Sequence, residues 1–139
     1  MRALIVDDSL EIREIIAAYL TAAGYPDPAK AANAEAALGL LGISSSGITP
    51  APAATVEGID VILMDIMMPG MDGIEACARI KRHQATSETP VLMVSSRDDN
   101  TALQQAFLAG ASDYVRKPIE RVELLARIRS ALRLKAELD

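Results

Sequence analysis

The stretch Ile59-Asp-Val-Ile-Leu-Met-Asp-Ile-Met-Met-Pro-Gly-Met-Asp-Gly73 constrains this chain more than any other. Its apolar run, Val61 to Met64, is short and bounded by turn signals, the pattern of a strand buried on both faces of a sheet. The run delivers one carboxylate, Asp65, and a bend containing Pro-Gly then stops it. A charge is costly to leave at such a place. In an open parallel sheet, ligands bind beyond the carboxyl ends of the strands. Asp65 therefore reads either as a working carboxylate or as a cap on the turn that follows.

The rest of the chain repeats the pattern. Ala3 to Val6 is a short buried strand ending at Asp7 and Asp8. Ser9 then caps a helix whose apolar positions Ile12, Ile15, Ile16, Tyr19 and Leu20 follow helical spacing, with Gly24 as its stop. Pro26 to Ala32 reads as a short edge strand, because its two prolines exclude a central one. Asn33 caps an Ala-rich helix over 34–41 that closes at Gly42. After the central strand, Asp72 or Gly73 opens a helix to about His83, and Thr89-Pro90 precedes the buried strand Val91 to Val94, which ends in Ser95 and Ser96. Asp99 to Ala109 is predicted helical, with Leu103, Ala106 and Phe107 inward. Tyr114 to Arg116 is a fifth strand ending at Lys117-Pro118, and a last helix runs from Ile119 to about Leu138. Strands alternating with helices imply a parallel sheet covered on both faces and joined by right-handed crossovers.

At 139 residues, 50% of them hydrophobic, the chain is one domain's worth with an aliphatic core. Its apolar runs fall far short of the roughly 20 residues a membrane helix needs, and its first residues lack the apolar length of a signal peptide. The expectation is a soluble, cytoplasmic protein. The single Cys77 sits in a helical pattern and reads as a core or helix-face residue, and the lone His83 as a solvated helix end. Residues 1–115 carry 7 Lys and Arg against 15 Asp and Glu, whereas 116–139 carry 7 against 4. That balance argues against direct nucleic-acid binding. Residues 42–58 are rich in Ser, Pro, Ala and Gly without periodicity and read as a mobile surface insertion.

Parallel strands place their carboxyl ends on one rim, so Asp7, Asp8, Asp65, Ser95 and Lys117 should converge. Three carboxylates so close repel one another unless positive charge is supplied. A hard divalent cation with oxygen ligands, Mg²⁺ or Mn²⁺, answers that need. Lys117 adds a point charge suited to a phosphate oxygen or to Asp65, and the Ser95 hydroxyl can donate to another oxygen. Together they describe a place where a phosphoryl group is held and transferred, with the Asp as nucleophile. An Asp65–Lys117 ion pair that only fixes the fold would leave Asp7, Asp8 and Ser95 unexplained.

Val6-Asp-Asp8, Met64-Asp65 followed by Met68-Pro-Gly-Met-Asp-Gly73, Val94-Ser95 and Tyr114-Val-Arg-Lys-Pro118 resemble, in this order, the receiver domain of two-component response regulators. The resemblance covers essentially all of the chain. It implies a doubly wound, flavodoxin-like α/β fold with a five-stranded parallel sheet in the order 2-1-3-4-5. It makes Asp65 the acceptor of a phosphoryl group from a histidine kinase or phosphotransfer protein. Asp8 would ligate Mg²⁺ directly, Asp7 through water, and Met67 through its backbone carbonyl. Lys117 would pair with the phosphoryl group and precede a cis peptide to Pro118. Ser95 and the backbone of Ser96 would bind phosphoryl oxygens, and Tyr114 would swing inward, whereas without the family Tyr114 reads as an aromatic packed on the sheet edge. The output would be a changed surface on the fourth helix, fifth strand and fifth helix, controlling a partner or output domain, with phosphorylation-dependent dimerisation as one form.

Met67 and Arg97 lie at positions that in this family influence how water reaches the acyl phosphate. Met67 has no polar side-chain atom to orient that water, which predicts slow self-dephosphorylation. A haloacid-dehalogenase-type phosphatase would need a second Asp at position 67. A flavodoxin-like cofactor site would need a phosphate loop where Asp7 and Asp8 stand, and no Gly-x-Gly-x-x-Gly is present. A non-phosphorylated interaction module of the same fold is the remaining alternative. The spacing of Leu124, Ile128, Ala131, Lys135 and Leu138 is heptad-like and suits either a helix packed on its own domain or a linker to an output domain.

Overall fold

The computed structural model describes residues 1–43, 56, 58–96 and 100–138, with only the main chain of 137 and 138. Most of the insertion expected at 42–58, and Arg97, lie outside the described residues. Among those described, five strands alternate with five α-helices. These are β1 (Ala3–Val6), α1 (Leu10–Ala22), β2 (Ala29–Ala31), α2 (Ala34–Leu40), β3 (Val61–Asp65), α3 (Gly73–Arg82), β4 (Val91–Ser95), α4 (Asn100–Leu108), β5 (Asp113–Arg116) and α5 (Arg121–Leu138). The sheet is parallel throughout and ordered β2-β1-β3-β4-β5, as the resemblance implies.

The helices begin where short polar side chains can satisfy free N–H groups. Ser9 accepts from the Ile12 N–H, Asn33 from Ala36 and Asp72 from Glu75. The last helix starts two residues later than expected, because Glu120 accepts from the N–H groups of Val122 and Glu123 and so caps it. Gly24 follows α1 at φ +92°, a conformation that L side chains rarely adopt.

Alternation along each central strand splits the core in two. Leu4, Val6, Ile62, Met64, Val91 and Met93 face α2, α3 and α4, where Leu38, Cys77, Ile80 and Leu103 cover them. Ala3, Ile5, Val61, Leu63, Leu92 and Val115 face α1 and α5, packing against Ile16, Leu20, Leu124 and Ile128. Most of the heptad-like stripe of α5 thus faces its own sheet. Cys77 is buried, as expected. Phe107 is a correction: Leu103 and Ala106 point inward, but Phe107 is 44% exposed. It stands at the flank of the inward stripe, where its ring meets Tyr114 edge-to-face at 6.0 Å. A short 3-10 turn, Gln84–Thr86, was not anticipated.

Candidate functional site

The sheet's hydrogen-bond ladder determines which polar residues meet. Val6 pairs with Met64, so Asp7, one step past the end of β1, comes level with Asp65. Asp65 pairs with Val94 and Ser95 with Arg116, so Ser95 and Lys117 each lie one step further along the rim. The strand ends are tied beyond the last regular pairs by the Ile66 N–H to the Val94 carbonyl (3.1 Å) and the Lys117 N–H to the Ser95 carbonyl (2.8 Å). Sequence separation of over a hundred residues thereby becomes contact.

Asp7 and Asp65 are 1% and 3% exposed, while Asp8 lies open to solvent. Lys117 reaches between the two buried acids, its Nζ 3.6 Å from Asp7 Oδ2 and 3.4 Å from Asp65 Oδ2. Asp65 Oδ1 accepts from the Met67 N–H at 3.2 Å, and Asp7 Oδ1 from the Ser9 N–H at 2.9 Å. Burial, followed by the charge of Asp7, pushes the Asp65 carboxyl up to about 6; Lys117 and the Met67 N–H pull the other way without cancelling the rise. The peptide between Lys117 and Pro118 is cis.

One oxygen from each of Asp7, Asp8 and Asp65 can be chosen so that all three lie within 4.8 Å of one another. Among the described residues, Asp7 Oδ2 and Ser95 Oγ are buried without a hydrogen-bond partner. Buried polar atoms ordinarily have one. An all-oxygen donor set, partly open to water through Asp8, fits a hard divalent cation that keeps several waters. The arrangement therefore sets a buried carboxylate, an oxygen cluster suited to a cation and a flexible ammonium side by side.

Ser96 is exposed just past β4. Met67 is 65% exposed and does not cover Asp65 with a polar group. Tyr114 is half-buried, with the Arg116 and Arg127 guanidinium groups 5.3 and 5.5 Å from its ring centroid. Arg127 is itself held by Asp113 at 3.0 Å. Tyr114 thus lies against α4 and α5 side chains, at the sheet edge.

Two contributors escaped the sequence reading. A Cβ at Gly73 would run into the carbonyl oxygen of Asp65, so this glycine lets α3 begin directly against the Asp65 backbone. Arg13 donates from Nη1 to the Asp7 carbonyl at 2.6 Å. Helical side chains lean towards the N-terminus, which could have pointed a first-turn arginine at the strand end before it.

The sequence profile of the response regulator receiver domain matches residues 3–129. Response regulator PleD of Caulobacter vibrioides is 34% identical over 138 residues, which is 99% of this chain and 27% of that protein. The phosphate regulon transcriptional regulatory protein PhoB of Pseudomonas aeruginosa is 36% identical over 130 residues, covering 94% of this chain and 51% of that one. The chain thus spans between about a quarter and a half of these curated relatives. Among solved structures, the CheY-like response regulator receiver domain protein of Methanospirillum hungatei superposes with a TM-score of 0.81 at 26% identity, covering 99% of this chain and 98% of that one. Vibrio cholerae chemotaxis protein CheY4 gives 0.78 at 27%, over 94% and 98%.

Proposed function

The chain belongs to the response regulator receiver domain family, and we propose on that premise that it is a phosphoacceptor whose nucleophile is Asp65. The observation that carries this reading is a buried carboxylate at the end of the central strand, flanked by a second buried carboxylate and an ammonium group. With its carboxyl near 6, Asp65 is mainly ionised at neutral pH yet more basic than an ordinary carboxylate. One of its oxygens attacks phosphorus, the P–N bond of a donor's phosphohistidine breaks, and an acyl phosphate forms. The donor is a histidine kinase or a phosphotransfer protein, and the reading places the chain in the cytoplasm.

Asp8, Asp65 and the Met67 carbonyl would hold Mg²⁺ or Mn²⁺, with Asp7 acting through water. Such an ion, when bound, neutralises carboxylate charge and polarises phosphoryl oxygens. Lys117 turns from the paired acids to the new phosphoryl oxygens, and the Ser95 hydroxyl and Ser96 N–H donate to others. Phosphorylation adds about −1.5 to −2 charge and three acceptor oxygens. Movement of Ser95 leaves space for Tyr114 to turn inward. That shifts the population of the α4–β5–α5 surface, through which a second copy, a separate protein or an output domain is addressed. Nucleic acid is not contacted by this domain itself.

Incubation with acetyl phosphate or beryllofluoride tests the reading. Uptake of one phosphoryl group in Mg²⁺, its loss in EDTA and its absence from Asp65→Asn are expected, read by intact mass and by alkali lability of the label. Full magnesium-dependent labelling of Asp65→Asn would overturn the assignment. No uptake by the parent chain would leave an interaction module of the same fold.

A further inference from the structure

Arg13 takes no part in the chemistry assigned above, yet it makes a short contact to the acidic corner. It lies half-buried on α1, and its Nη1 donates to the Asp7 carbonyl oxygen at 2.6 Å, a charge-assisted bond. That carbonyl belongs to the planar peptide unit joining Asp7 to Asp8. Anchoring it fixes both the plane from which the Asp8 side chain departs and the end of the residue that carries the buried Asp7 carboxylate.

The remaining groups of Asp7 are already engaged. Its N–H donates to the Ala31 carbonyl at 3.2 Å, and Oδ1 accepts from the Ser9 N–H at 2.9 Å. The main-chain N–H of Arg13 donates to the Ser9 carbonyl at 3.1 Å, so the arginine grips this corner by both main chain and side chain. With those contacts made, Oδ2 is the polar side-chain atom of Asp7 left without a hydrogen-bond partner, and it faces Lys117. Asp8 is solvent-exposed, so its direction comes largely from the peptide that Arg13 holds.

We propose that Arg13 is a positioning residue for the divalent-cation site, clamping the Asp7–Asp8 peptide so that both carboxylates address one ion. The proposal rests on the reading of Asp7, Asp8 and Asp65 as cation ligands. A guanidinium suits the task because its rigid fork reaches a carbonyl in fixed geometry and stays charged at every working pH. Its charge alone opposes cation binding, so the two effects carry opposite signs. Loss of positioning weakens the site, whereas loss of charge alone tightens it.

Mn²⁺ binding followed by electron paramagnetic resonance, with Mg²⁺ as competitor, separates them on the whole chain. Arg13→Met is expected to bind Mn²⁺ about tenfold more weakly, the low end of what outer-shell partners contribute. Arg13→Lys, which keeps the charge and loses the fork, should recover only part of the affinity. Melting in EDTA should change little for Arg13→Lys, a readout that a purely structural role would move. Parent-like or tighter binding by both variants overturns the proposal; if Arg13→Met does not fold, parent-like affinity in Arg13→Lys does so alone. Asp8→Ala guards the underlying reading. Undiminished binding in that variant, or no binding by the parent, would show that the ligand assignment itself had failed.

Discussion

Asp65 is a carboxylate that the fold makes costly to ionise. Its carboxyl rises from 3.8 to about 6, chiefly through burial and then through Asp7. A group whose folded value is raised adds stability that is fully present below its ordinary value and is lost as pH climbs through the folded one. The window here is therefore pH 3.8 to about 6. Above it, in EDTA, the ionised side chain is a liability that an amide of the same shape lacks. Asp65→Asn should be the more stable protein at pH 7, by about 1 to 3 kcal/mol, with the gap closing towards pH 4. Equal melting temperatures at pH 7 would contradict the argument. On the proposed function, Met67 should govern a slower event. Exposed and without a polar side-chain atom, it leaves attacking water unoriented, so the acyl phosphate should decay over minutes or longer, and Met67→Asn should shorten its life. A half-life of seconds in the parent protein would refute this.

At the scale of elements, the junction between β3 and α3 is the least tolerant. Gly73 has no room for a methyl group because the Asp65 carbonyl stands where it would go. Overpacking of this kind costs about 1 to 3 kcal/mol, and here the displaced atoms belong to Asp65, the proposed acceptor. Gly73→Ala should therefore lose phosphoryl uptake as well as melting temperature, and a variant that lost only stability would show that the acceptor is insulated from its helix. The elements themselves were largely legible, because buried parallel strands read as unbroken apolar runs and three helices announce themselves by Ser9, Asn33 and Asp72. Phe107 was misread because position 107 follows the helical period of Leu103 yet sits at the stripe's margin, where the ring of Tyr114 rather than the core completes its surroundings. The Gln84–Thr86 turn is too short to carry a period. Arg13 left only the weak cue of its place in the first turn of α1, because its partner is a main-chain oxygen, which every residue possesses. The carboxylates, Ser95 and Lys117 were legible because charge or hydroxyl after an apolar run demands a reason.

Across the whole molecule, the two cores lie on opposite faces of one sheet and share β1, β3, β4 and β5. Neither helical layer can leave without exposing the sheet that supports the other. Ile128→Ala, in the α5 layer and fully buried, should cost about 2 to 5 kcal/mol and shift a single unfolding transition seen alike by circular dichroism and tyrosine fluorescence. Two separated transitions would mean that the layers melt independently. The stepped register of the strands has a further implication. Asp7 and Asp65 share one rung, and Ser95 and Lys117 stand one and two rungs beyond it, because of how many residues precede each; each rung advances by about 3.3 Å. Adding or deleting one residue inside β3 or β4 would slide a neighbour off its mark and turn the strand's buried side chains inside out. Descendants of this chain can thus vary the letters of those strands far more freely than their count.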